Sequence, residues 1–353
     1  MLNTRIGENY NANDVINAND MRKRIINIDS RFRSVVSQPS TDFTFKLEHP
    51  YKNLIRLRVA SIEIPNMFYS ITKKNNCFTV KAYDITGVAR TAQIVIEEGN
   101  YTSVEMVAAL QEQFDIQLRG PYGIFFTVAL NTINAKMLIT HNGVSAYPVT
   151  APNPVPTSSA KPFILDFCSC SPVGRRPQNW GLGFNLGYRK KQYKVTNMRQ
   201  TTTTPPLDVY YQEAESCLDV IGDTYCLLAI NDLHSVEQKT TDSYIQVLAK
   251  IIIREDKQAV IYDDGASLLS NEVIFTSPTD LKILNIRLLD PYGDPIDLCG
   301  MNWSFSLEIT EVLNTKLYDF YRNYIWLGTI PSVNYKTVTG TPQPLLRGIG
   351  PPF

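Results

Sequence analysis

The chain has 353 residues, 44% of them apolar, 10% aromatic and only 19% charged, which excludes a disordered composition and supplies ample material for a core. Lys plus Arg equals Asp plus Glu at 34 each, so the formal charge is zero and no global attraction to phosphate backbones or anionic lipid follows. The length exceeds what a single core usually fills, which predicts one large sandwich carrying an insertion, or two modules.

Residues 1–20 are polar and Asn-rich, with no apolar stretch between a basic start and a cleavage site, so they read as an arm and not as a signal peptide. Synthesis and residence in the cytosol are expected. The longest apolar runs, such as Ile124 to Leu130, fall far short of the roughly 20 residues of a membrane-spanning helix. The arm, residues 1–24, ends in the basic cluster Arg22-Lys23-Arg24.

Beyond the arm, alternation of period two dominates the chain. Phe43, Phe45 and Leu47 alternate with polar residues, the mark of a half-buried strand. From Leu54 to Ile64 the apolar phase runs Ile55, Leu57, Val59 and then shifts to Ile62, Ile64, which predicts a bulge near Ala60-Ser61. Phe78 to Asp84 can pair with Thr91 to Glu97 around Thr86-Gly87, and Phe125 to Leu130 with Lys136 to Thr140 around an Asn-rich turn. Between these hairpins Thr102-Ser103-Val104-Glu105 forms a capping box, and Val107, Leu110 and Phe114 continue at helical spacing. Residues 75–145 are therefore expected to form an inserted α+β subdomain between sandwich strands. Ser145 to Pro162, rich in Pro and Ser, reads as a linker or surface loop, and Pro172 to Pro205 as a long exposed loop. Tyr225 to Ile230 is apolar on both faces and belongs inside a sandwich. Ile245 to Ile253 reads as one strand, Asn271 to Thr276 as another, and Leu284 to Leu288 with Trp303 to Thr310 as a long-looped antiparallel pair. Residues 25–74 and 146–315 make up the expected sandwich, and 316–353 an aromatic segment with a C-terminal arm too rich in Pro and Gly for a regular element.

Chemistry-bearing patterns are sparse. His49, His141 and His234 share no metal-ligand spacing and read as surface or loop residues. Trp180 to Gly187 is Gly-rich but lacks the preceding strand, Lys and Ser/Thr of a phosphate loop. Asp290, Asp294 and Asp297 offer oxygens to a calcium ion, yet their spacing does not fit an EF-hand and they read as turn residues. The six cysteines show neither a disulfide framework nor paired metal knuckles, and are expected to be reduced structural thiols. The basic clusters at 22–24, Arg175-Arg176 and Arg189-Lys190-Lys191 suit salt links to a neighbouring protein better than nucleic acid, given the neutral total. The run Leu317 to Leu327 either packs back on its own sandwich or anchors a partner, since Tyr, Trp and Arg dominate interface hot spots.

Several stretches, in this order along the chain, resemble the jelly-roll minor capsid and penton-like proteins of nucleocytoplasmic large DNA viruses. They are Arg24-Ile-Ile-Asn-Ile-Asp-Ser-Arg-Phe-Arg33, Leu57 to Pro65 ending Ile-Glu-Ile-Pro, Glu98-Gly-Asn-Tyr-Thr102, Tyr225 to Asp232, Ala249-Lys-Ile251, and Leu284 to Thr310 with its Gly-Asp-Pro-Ile-Asp-Leu turn. The resemblance implies a virion shell component beneath or between major capsid capsomers, assembled in the host cytoplasm, with no catalytic residue to carry over. The two arms lie outside it.

The expectation is thus a mainly β protein, an antiparallel jelly-roll-like β-sandwich with an inserted small α+β subdomain and extended terminal arms. It would act as a structural minor capsid protein of a large icosahedral DNA virus, not as an enzyme, without cofactor or metal. Its partners would be the major capsid protein, other minor capsid proteins and its own copies, with no membrane span and nucleic acid unfavoured. Candidate contact residues are Arg22, Lys23, Arg24, Tyr318, Phe320, Tyr321, Tyr324, Trp326, Leu345, Leu346 and Phe353. The alternative is a β-sandwich binding module, lectin-like or for host attachment.

Overall fold

The computed structural model describes residues 21–146, 155–168, 181–233, 235–239, 244–264, 272–316 and 318–319. The chain forms β1 (Met21–Asp29), the long β2 (Asp42–Pro65), β3 (Cys77–Tyr83), β4 (Ala89–Val95), helix α1 (Ser103–Phe114), β5 (Ile124–Asn131), β6 (Lys136–Val144) and β7 (Phe163–Asp166). After these come β8 (Gln192–Val195), β9 (Met198–Gln200), β10 (Asp208–Glu213), β11 (Tyr225–Ile230), β12 (Val236–Lys239), β13 (Tyr244–Val247), β14 (Ala249–Ile252), β15 (Val260–Asp263), β16 (Val273–Leu289) and β17 (Ser304–Val312). The protein is mainly β and its strand pairs are antiparallel.

The first unit is a curled sheet in the order β1-β17-β2-β16-β11-β14, with β15 also on β2. Its jelly-roll-like closure depends on β2, 24 residues long, whose first part pairs with the end of β16 (Phe43 opposite Ile286) and whose second part pairs with β17 (Ile62 opposite Phe305). The two parts face each other across one core that contains Phe43 and Leu47 from one layer and Leu57, Val59, Ile62, Phe305 and Leu307 from the other. Phe43 meets Trp303 edge to face across it, with centroids 6.3 Å apart.

The bulge expected near Ala60-Ser61 is present. Ser61 lies opposite Ser306 and Val59 opposite Leu307, so Ala60 is the extra residue, and Val59 and Ile62 both reach the core. A second slip, between Glu311 opposite Leu54 and Thr310 opposite Arg56, was not legible: it sends Leu54 into the core and turns Ile55 to the other face, onto Val312 and Tyr318. The pairing expected between Leu284–Leu288 and Trp303–Thr310 is corrected, because β2 is long enough to receive one on each side and separates them. The single strand expected over Ile245–Ile253 is broken at Leu248 into β13 and β14. The β12–β13 hairpin covers Leu227, Ala229 and Leu289, which explains why Tyr225 to Ile230 is apolar on both faces.

The second unit faces β4-β3-β7-β8 against β5-β6-β10-β9, with α1 closing one side. Both expected hairpins form. The capping box is complete: the Glu105 amide donates to Thr102 Oγ1 at 3.3 Å and the Thr102 amide to Glu105 Oε2 at 2.8 Å. Gln111 on α1 supplies a side-chain stand-in for a further strand, accepting from the Val128 amide at 2.9 Å and donating to the Phe126 carbonyl at 3.0 Å along the edge of β5. This core does not stop at residue 145. It includes Phe163, Leu165, Phe167, Leu182, Tyr188 and Tyr193, so the segment expected as an exposed loop contributes buried aromatics, with Phe167 stacked on Tyr188 at 4.9 Å. Pattern reading missed them because β7 and β8 have four residues each, too few for a period to show, and Phe167, Leu182 and Tyr188 lie outside any strand. The core also contains His141, corrected here from a surface or loop residue.

Candidate assembly surfaces and the seam between the units

The motif at 24–33 closes one end of the first sandwich. Ile26 and Ile28 enter the core, the Ser30 amide donates to the Trp303 carbonyl at 2.9 Å, and the Trp303 amide donates back to Ser30 Oγ at 3.0 Å. Asp29 accepts from the Arg31 side chain and amide, and the Arg31 guanidinium holds its carboxyl below the usual range. Phe32 and Val36 stand exposed on the turn that comes next.

Of the candidate contact residues, Arg22, Lys23 and Arg24 lie on β1, at the end of the sheet order. Lys23 and Arg58 reach Glu308 from opposite sides, at 3.1 and 2.6 Å, and Arg24 reaches Glu311 at 2.9 Å, so two of the three cations have partners in their own sheet. Tyr318 is buried on Ile55 and Val312 beside Met21, in contact with its own chain. Phe320, Tyr321, Tyr324, Trp326, Leu345, Leu346 and Phe353 lie outside the described residues, as do Arg175-Arg176. Arg189 is held inward, donating to the Phe184 carbonyl at 2.9 Å with its guanidinium over the Phe184 ring.

A cleft of about 380 Å³ lies between the units, lined by Tyr69, Lys73, Asn185, Asp219, Tyr292 and Asp297 among others. The gathering of titratable groups there was not anticipated, since they come from five separate stretches. Their geometry is that of turns and bridges. Asp219 Oδ1 accepts from the amides of Ile221 and Gly222, Asp290 Oδ1 from those of Tyr292 and Asp294, and Asp297 Oδ1 from that of Cys299. Lys74 bridges to Asp294 at 2.8 Å across the seam. Lys257 is half-buried, 4.0 Å over the Phe68 ring and donating to the Phe68 carbonyl, and burial pushes its ammonium pKa down. Of the three carboxylates weighed for calcium, Asp290 and Asp297 thus order backbone and Asp294 pairs with Lys74, and no metal set gathers among the described residues.

Cys77 and Cys226 are buried as expected, and burial pushes the Cys226 thiol up to about 12; Cys217 and Cys299 are exposed, contrary to a uniform structural role. No helix among the described residues is long and apolar enough to cross a membrane. A surface that sequence reading missed is β15, which pairs with β2 while Val260 and Tyr262 are 60% and 62% exposed. Its alternation, Ile261 and Asp263 inward, was readable but only four residues long.

No family model matches the sequence, and no curated protein matches it. Among solved structures, the mavirus penton protein is similar over 83% of this chain and 99% of its own, at 9% identity and a TM-score of 0.40. A chain of the Sputnik virophage structure is similar over 83% of this chain and 98% of its own, at 12% identity and a TM-score of 0.36. At these values neither lends a residue or a role to this chain.

Proposed function

We propose that this chain is a structural protein of a viral shell, a minor capsid component of a large icosahedral DNA virus that links capsomers through its sandwich surfaces and terminal arms. The observation that supports this most is where polar chemistry is used and where apolar surface is left over. The charged groups of the seam cap turns and bridge the units, whereas Ile25, Phe32, Val36, Val260 and Tyr262 stand exposed on strands β1 and β15 and on an end turn. Surfaces of that kind gain by being covered by another protein. The ordered sequence resemblance supports the same reading, because its first motif builds the closed end of the sandwich on Trp303. The partners would be the major capsid protein, other minor capsid proteins and copies of the chain itself, and the place of residence the virion.

Mass spectrometry of purified particles, with cross-links from this chain to the major shell protein, tests the proposal. Deleting residues 332–353 should leave the fold intact and block assembly, and normal particles from the truncated protein would contradict it. A second reading, a carbohydrate-binding module, draws on Tyr69 and Tyr292 beside amides and carboxylates in the cleft. Glycan-array binding abolished by Tyr292→Ala would favour it.

A further inference from the structure

The sheet of the first unit has two contrasting strands at its margins. β1 carries Arg22-Lys23-Arg24 directly after its first residue, Met21. β15 pairs with β2 and, among the described residues, with no other strand, and it is bracketed by acid: Glu255 and Asp256 precede it and Asp263 and Asp264 end it. Glu255, Asp256 and Asp264 are exposed, as are Arg254 and the side chains of Val260 and Tyr262, while the nearby Lys257 is turned inward onto Phe68.

The 34 residues that come after Asp319 carry Arg322, Lys336 and Arg347 and no Asp or Glu. Within them Ser332–Thr339, Ser-Val-Asn-Tyr-Lys-Thr-Val-Thr, is free of Pro and Gly, rich in β-branched residues, and bounded by Pro331 and Gly340. A basic strand is repelled by the start of β1 and attracted by the margins of β15. We propose that the edge of β15 left unpaired among the described residues seats residues 332–339 of a second copy of this chain, added as a further antiparallel strand. Val333 and Tyr335 can then lie across from Tyr262 and Val260 on the outer face, with Lys336 across from Ala259 and within reach of Asp256, whose carbonyl accepts from the Ala259 amide. Extended, the chain from Asp319 to 332 already spans roughly 40 Å, enough to leave its own subunit. This rests on the proposed shell function and names its self-contact.

The test uses the full chain. A photo-cross-linking residue at position 262 is placed in chains of two isotope labels, mixed and irradiated, and the joined peptides are identified by mass spectrometry. Cross-links from 262 to peptides spanning 332–339 of the other label are expected. Sedimentation should show association weakened at least tenfold by Lys336→Glu and restored in part when Asp256→Lys is added. Cross-links confined to one label, cross-links to other segments, a monomer at every concentration, or association indifferent to Lys336→Glu would each overturn the proposal. Absence of the protein from purified particles would instead overturn the shell function and leave this contact standing.

Discussion

Acidification should loosen the second unit through a single imidazole. His141 is fully buried on β6, stacked on Phe126 at 4.8 Å and edge-on to Phe163 at 6.0 Å, with Nδ1 3.0 Å from the Lys161 carbonyl and Nε2 without a hydrogen-bond partner among the described residues. Burial pushes its pKa from the ordinary 6.5 down to about 4. The unfolded chain therefore takes up a proton as pH falls below 6.5 while the folded chain resists until about 4, so stability attached to this group is present above 6.5 and lost between the two values. At pH 4.5 the loss is on the order of 2 to 3 kcal/mol, and it levels off at about 3 to 4 kcal/mol in stronger acid. In His141→Phe the ring stack is kept and the proton site removed. Amide hydrogen exchange of β5 and β6 between pH 7 and pH 4.5, corrected for intrinsic exchange, should show protection falling some tens of fold further in the wild type than in the variant. Equal losses in both would refute the assignment, because carboxylates titrating elsewhere act on both proteins alike.

The same geometry sets three further outcomes. Gln111→Leu should destabilise the second unit by about 2 kcal/mol in urea unfolding, since the Val128 amide and the Phe126 carbonyl lose their partner where water is excluded. Thr102→Ala should cost about 1 kcal/mol and Thr102→Ser much less, because a hydroxyl is what the Glu105 amide needs. Native alkylation and subsequent peptide mapping should modify Cys217 and Cys299 readily and leave Cys77 and Cys226 unmodified until the protein unfolds.

The parts of the fold readable in advance were those where the period of two persists long enough to change phase visibly. Val59 and Ile62 cannot both face inward without an extra residue, and the extra residue is Ala60. The unreadable parts depend on partners distant in the chain. Nothing near Leu284 or Phe305 reveals that β2 comes between them, because alternation fixes which face is buried and says nothing about which strand lies alongside. Tyr188 sits between Gly187 and Arg189-Lys190 and Phe167 between Asp166 and Cys168, yet the two rings are stacked and buried together. His141 shows the same limit: it holds an apolar position in β6, between partners at 126 and 163, and only the stacked rings disclose it. On the surface, the acids around β15 were visible as letters, whereas their relation to a strand paired on one side to β2 required the sheet.

The chain passes into the second unit near Ser70 and out of it near Gly222, and the two passages touch: a Cβ on Gly222 would lie 2.9 Å from that of Ser70. An excursion of some 150 residues therefore begins and ends at one spot, as a side road leaves and rejoins a highway at a single junction. Such a layout lets evolution, or an engineer, exchange the whole excursion for another of similar footing, or bridge the gap with a couple of residues, without stretching the remaining framework.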